Sequence, residues 1–85
     1  MTRWTVVVDM DEVDGAIRAV ARLHDRTSDR LTGEGVAHIG PVERVAPTVG
    51  PKVATARALL RLSDQLAAAA QHDYDSVLER RAQSA

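Results

Sequence analysis

The sequence predicts an α+β domain: a three-stranded antiparallel sheet packed by a long C-terminal helix and a short final helix. Two observations carry this prediction. Apolar and polar residues alternate over residues 3–10 ahead of an Asp14-Gly15 dipeptide, and an apolar repeat at i, i+3, i+4, i+7 follows Pro51. The 85 residues, 9.2 kDa, suffice for one domain. We therefore expect a single domain over residues 1–85, ordered over about 3–82.

The first two strands are predicted from alternation and from the turn between them. Residues 3–10 are rich in β-branched side chains, and Asp14-Gly15 tolerates the positive φ that a hairpin turn requires. Residues 16–25 are ambiguous. As a strand they place Arg18 and Arg22 on one face, but their Ala and Arg content also suits a helix. The preceding turn favours the strand, and the helix stays open as the alternative.

A third strand is predicted over about residues 31–40, after a polar hairpin loop that ends at Arg30. Gly33 and Gly35 fall inside this strand, where glycine weakens a sheet. Two glycines on one face indicate either a bulge or another element that packs closely there. A helix that crosses this face of the sheet would explain both.

The remaining chain is predicted to be helical after a proline-rich crossover. Three prolines make residues 41–51 a non-regular connection, and Pro51 suits the first position of a helix. Asp73 is a candidate N-cap for a short final helix over residues 74–81. The stripe expected to face the sheet consists of Ala56, Leu59, Leu60, Ser63, Leu66, Ala67 and Ala70.

Composition limits both the core and the partners. The only aromatic residues are Trp4 and Tyr74, so the core must be built from small aliphatic side chains. With no cysteine to form disulfides, self-association is the remaining way to reinforce so thin a core, and we expect a homodimer. A net charge of −1 argues against nucleic-acid binding by bulk charge. Neither a secretory signal nor a membrane span is visible, which predicts a cytoplasmic protein without a membrane partner.

No motif in the chain indicates catalysis or a cofactor. His24, His38 and His72 lie on three different predicted elements, and none forms the i, i+4 pair of a helical zinc site. The acidic turn after Asp9 does not fit the ligand positions of a calcium loop. No nucleophile motif or dinucleotide loop is present either. We therefore predict a protein that is not an enzyme, without a metal, a cofactor or an evident small-molecule substrate.

Two sets of side chains are candidates for binding a macromolecule. On the outer face of the second strand and just beyond it, arginines recur at Arg18, Arg22, Arg26 and Arg30. Guanidinium groups in such a row could contact the phosphates of an RNA backbone, or they could be a solvated face paired with Asp9, Asp11 or Glu34 on neighbouring strands. Trp4 is the candidate anchor of a protein interface, because a lone tryptophan is more often in a core or an interface than on a nucleic-acid base.

The order of motifs over residues 3–73 resembles a family of small actinobacterial proteins of unknown function. The resemblance rests on Arg3-Trp4-Thr5-Val6, the acidic turn through Gly15, Ala21-Arg22-Leu23, the strand from Leu31 to Ala37, Pro41, Pro47, Gly50, and the helix start from Val53 to Leu59. It implies an α+β domain with an antiparallel sheet backed by a C-terminal helix, and a homodimer. Some members are associated with hypoxia or dormancy and are likened in fold to ribosome hibernation factors.

Two functional hypotheses follow from the residues and the resemblance together. The first is a non-enzymatic cytoplasmic stress or dormancy protein that binds the ribosome and lowers translation, with the arginine row in contact with ribosomal RNA. The alternative is a homodimeric protein-interaction module without nucleic-acid binding. Salt dependence separates them, because phosphate contacts weaken steeply as salt rises.

Overall fold

The computed structural model describes residues 2–25 and 31–84 and contains the predicted three-stranded sheet. The strands are β1 (Thr5–Val13), β2 (Ala16–His24) and β3 (Thr32–His38), paired antiparallel in the order β1-β2-β3. The strand prediction for residues 16–25 is confirmed, and the helical alternative is wrong. The segment 26–30, predicted as a loop, lies outside the described residues.

The β1–β2 hairpin turns where the sequence predicts it. Asp14 and Gly15 both have positive φ, 50° and 72°. Two successive residues in this region form the turn whose twist matches that of antiparallel strands. This turn fixes the register, in which Val8 faces Ala21 and Met10 faces Ala19.

Two helices follow the sheet: a short α1 (Pro41–Val45) and a long α2 (Val49–Gln83). The crossover predicted to be irregular thus contains one helical turn, which Pro41 begins and the Glu43 side chain stabilises by accepting the Gly40 N–H at 3.0 Å. The short helix predicted over residues 74–81 is not separate, because α2 continues through it. One Asp inside a helix costs only a few tenths of a kcal/mol, so Asp73 does not end it.

α2 lies across β2 and β3, and its approach depends on the glycines of β3. A Cβ on Gly33 would collide with the backbone of Ala58 and Leu62, and one on Gly35 with the backbone of Ala54 and Ala58. These contacts confirm the prediction that the two glycines mark close packing of a helix. The α2 residues buried against the sheet are four residues apart, and all but the last are small: Gly50, Ala54, Ala58 and Leu62.

The stripe predicted to face the sheet is wrong in its direction. Leu59 and Leu60 are 42% and 64% exposed, and Ser63, Ala67 and Ala70 are exposed as well. α2 carries two apolar faces, and the sheet takes the one with the smaller side chains because only small residues fit against the glycine backbone. The larger apolar face points to solvent.

The resulting core is thin and the molecule is elongated. Seven hydrophobic residues of the ranges 2–25 and 31–84 are buried, and five of them are alanines. The second half of α2 extends beyond the end of the sheet, and the molecule measures 64 × 24 × 19 Å. Its radius of gyration is 17.5 Å, against about 12 Å for a compact domain of this length.

Candidate functional site

The arginines of β2 lie on the face of the sheet opposite α2. Arg18 and Arg22 are exposed there, because β2 alternates and its other face packs under the helix. The structure thus places two of the four predicted arginines on one face. Arg26 and Arg30 lie outside the described residues, so their place in the row stays a prediction.

Carboxylates share this face with the arginines. Asp11 pairs with Arg18 across the strands, and the two side chains form an ion pair at 3.7 Å while 59% and 47% exposed. Asp9 and Glu34 lie on the same face, both opposite Val20. An exposed ion pair contributes at most about 1 kcal/mol to stability. The face is therefore of mixed charge and only locally basic.

Trp4 lies immediately before β1 and is 55% exposed. It is not a core residue, which leaves the predicted role at an interface. The role of Trp4 at an interface stays a prediction. Trp4 lies at the end of the sheet beyond which α2 extends. Leu62 packs over the Gly33 end of β3, and Trp4 precedes the adjacent end of β1.

The free edge of β1 is open. Odd-numbered residues of β2 bond to β3, as the Leu23 N–H to Leu31 carbonyl bond shows, so even-numbered residues of β2 bond to β1. The backbone groups of Val6, Val8, Met10 and Glu12 therefore point away from the sheet. Val6 and Met10 are also 43% and 49% exposed, because α2 packs mainly on β2 and β3 and reaches β1 only at its margin, where Thr55 Oγ1 donates to Met10 Sδ at 3.5 Å.

The free edge of β3 is partly covered. The same alternation directs the Val36 carbonyl away from the sheet, and Arg57 of α2 donates to it from Nη1 at 2.7 Å. A groove of about 670 Å³ runs along this edge, lined by Glu34, Gly35, Val36, Arg57, Leu60 and Arg61. The two sheet edges thus differ in how well they are covered.

A stripe of exposed, mostly apolar residues runs along the side of α2 that faces away from the sheet. Its members repeat at alternating spacings of four and three residues, and we call them the outer stripe: Ala56, Leu60, Ser63, Ala67, Ala70, Tyr74 and Val77. All seven are exposed, Leu60 and Tyr74 by more than 60%. This 3.5-residue repeat is typical of helices that pair with another helix. Five of its members belong to the stripe that the sequence predicts to face the sheet.

Sites for metal ions or membranes are not visible in the part of the chain that the structure describes. Over residues 2–25 and 31–84, no three His, Asp or Glu side chains converge as metal ligands would. The predicted separation of His24, His38 and His72 holds, since β2, β3 and α2 each carry one. In the same ranges, no helix has an apolar stretch of the length that a bilayer span needs.

Comparison with known proteins places this fold in a family. The sequence profile described as Rv2632c-like matches residues 2–83. Two mycobacterial relatives, "Uncharacterized protein Mb1767" of Mycobacterium bovis and "Uncharacterized protein MT1780" of Mycobacterium tuberculosis, are each 36% identical to this chain over 77 residues. Each alignment covers 91% of this chain and 81% of the relative. The expected likeness to a small actinobacterial family is thereby confirmed.

Proposed function

The chain belongs to the Rv2632c-like family, and we propose that it is a non-enzymatic protein-interaction module that works as a homodimer. The observation that carries the proposal is its surface area. The chain exposes 6702 Å², whereas a compact monomer of this mass exposes about 4,900 Å². The excess is about 1,800 Å² on each chain. Counted over both chains of a dimer, it lies in the range of total area that obligate dimers bury.

The chemistry of the excess surface also supports self-association. The open edge of β1 exposes Val6 and Met10, and the outer stripe exposes Leu60, Tyr74 and Val77. Exposed apolar surface of this extent is typical of protein interfaces. A core of five alanines and two leucines is weak for an independent monomer, so a second chain supplies burial that one chain lacks.

Sedimentation velocity tests the homodimer directly. At micromolar chain concentration we expect one species with twice the chain mass of 9.2 kDa. The association should persist at high salt, since burial of apolar surface does not weaken as salt rises. A single species of 9.2 kDa mass at all concentrations up to the millimolar range would contradict the proposal.

Ribosome binding in stress or dormancy is the second candidate function. It is favoured by Arg18 and Arg22, which are exposed on the face that α2 leaves open. This face is distinct from the outer stripe and from the edge of β1, so a dimer formed through either surface still presents its arginines. The stress role and a cytoplasmic location come with this candidate, from the resemblance to dormancy-associated proteins.

Co-sedimentation with ribosomes of the same organism, at low and at high salt, tests this candidate. We expect binding at low salt that declines steeply as salt rises, and at least a tenfold loss of affinity in an Arg18→Ala, Arg22→Ala double variant. The matched control is Arg80→Ala, Arg81→Ala, which removes the same charge from the far end of α2. Equal loss in both variants, or none in either, rules out the outer face of the sheet as the contact surface.

A further inference from the structure

The charges of α2 are divided between its two halves. From Val49 to Ser63 the helix carries Lys52, Arg57 and Arg61 and no acidic residue. The second half carries four acidic residues and two arginines, namely Asp64, Asp73, Asp75, Glu79, Arg80 and Arg81. Two copies of such a helix attract each other when they run in opposite directions, because each basic half then lies beside an acidic half. In a parallel pair the like-charged halves meet.

We propose that two copies of this chain pair through their α2 helices, antiparallel along the outer stripe, with Ala67 next to the two-fold axis. The proposal rests on the homodimer proposed above and assigns its interface. The committed occupant of the outer stripe is therefore the α2 helix of a second copy.

The order of side chains along the outer stripe suits antiparallel pairing. With Ala67 at the centre, Leu60 faces Tyr74 of the second copy and Ala56 faces Val77 of the second copy. Ser63 then faces Ala70, so the large side chains meet toward the two ends and small residues occupy the middle. Small central residues allow the helix axes to approach to about 8 Å.

The same register brings opposite charges together. Arg57 lies ten residues before Ala67 and Asp75 lies eight residues after it, so Arg57 comes within one turn of Asp75 of the second copy. Two such pairs flank the interface by symmetry. The outer stripe lies on the side of α2 away from the sheet, so nothing in the described part of either chain stands between the two helices.

The length of the outer stripe also fits this interface. The outer stripe extends from Ala56 to Val77, which is about 32 Å of helix. About half of it lies beyond Leu66, the last α2 residue that packs against the core among the described residues. Isolated helical segments of this length are marginal in water, so pairing stabilises the segment that most needs it.

Two adjacent alanines provide a matched test by sedimentation. Ala67 and Ala68 are both exposed helical residues, but a step of one residue turns Ala68 by about 100° away from the outer stripe. We expect Ala67→Glu to weaken dimerisation at least a hundredfold and Ala68→Glu to leave it unchanged. Circular dichroism should show that both variants keep the helical content of the parent.

Cross-linking tests the direction of pairing, and the chain contains no cysteine to interfere. Leu60→Cys and Tyr74→Cys variants are treated separately and as a mixture with a bismaleimide that spans about 10 Å. Antiparallel pairing predicts little cross-linked dimer in either variant alone and abundant product in the mixture. Parallel pairing predicts the reverse, with product in each variant alone.

The outcomes separate this inference from the homodimer itself. A monomeric parent chain overturns both proposals. A dimeric parent whose Ala67→Glu variant also stays dimeric, without cross-linking at positions 60 and 74, overturns only the helix interface and indicates the edge of β1 instead. Loss of dimer in Ala67→Glu but not in Ala68→Glu, together with cross-linking of the mixture, supports the inference.

Discussion

At the scale of residues, Gly33 and Gly35 set the distance between helix and sheet. Each places bare backbone under α2, and the atoms that a side chain would strike belong to the helix backbone. Backbone cannot rotate away as a side chain can, so relief requires the whole helix to move. The glycines therefore also explain why alanines at positions 54 and 58 fill the core where larger residues would be expected.

Gly33→Ala should destabilise the protein by about 2 kcal/mol or more, because the added Cβ forces α2 off the sheet. Urea unfolding followed by circular dichroism, at fixed chain concentration, measures this change. Gly40→Ala is the control, since its Cβ would meet only the flexible Glu43 side chain at 3.1 Å, and we expect a change below about 1 kcal/mol. Equal midpoints for parent and Gly33→Ala would show that the helix does not lie on this glycine.

At the scale of elements, the sequence predicts the strands, turns and helices that short-range patterns specify. It does not predict which side of a helix packs against the sheet. The hairpin at Asp14-Gly15, the three strands and the start of α2 near Pro51 all follow from short-range patterns. The close approach at Gly33 and Gly35 was also predictable, because glycine weakens a strand and is found there mainly at bulges or where another backbone approaches closely. These features are specified by residues next to each other in sequence or on one face of one strand.

The side of α2 that faces the sheet was not predictable from its periodicity. The residues four apart from Gly50 to Leu62 and the outer stripe from Ala56 to Val77 are both apolar repeats. The stripe that the sequence predicts to face the sheet shares five residues with the outer stripe, and of its seven members only Leu66 packs against the core. The choice depends on how deep the helix must sit, which is a tertiary property. By contrast, the carboxylates beside the arginine row were predictable, because Asp9, Asp11 and Glu34 fall on the same face of neighbouring strands, and the structure places all three there.

At the scale of the whole molecule, shape is the property that most needs an explanation. The radius of gyration of this 85-residue chain is 17.5 Å, larger than that of a compact domain of the same length, because the second half of α2 forms an arm beyond the sheet. The arm is amphipathic, and its apolar side is turned away from its own sheet. The homodimer proposed above would account for both the length of the arm and the direction of its apolar side.

Stability should therefore depend on chain concentration. If unfolding separates two chains, a tenfold increase in concentration adds about 1.4 kcal/mol per dimer to the free energy of unfolding. The urea midpoint then rises by about 0.5 M for an m-value of about 3 kcal/mol/M. Urea titrations at two chain concentrations that differ tenfold, both below about a hundred micromolar, measure the shift. A midpoint independent of concentration would show that the chain unfolds as a monomer.

The contact between Arg57 and the Val36 carbonyl has a consequence for how many copies can join. A sheet grows into a fibre only when both of its margins accept a neighbour. Here a side chain from the same molecule occupies one carbonyl of one margin, while the other margin is open. Joining of sheets through their margins is therefore expected to favour the open margin, and the guanidinium group that occupies the Val36 carbonyl makes a neighbour less favourable at the other.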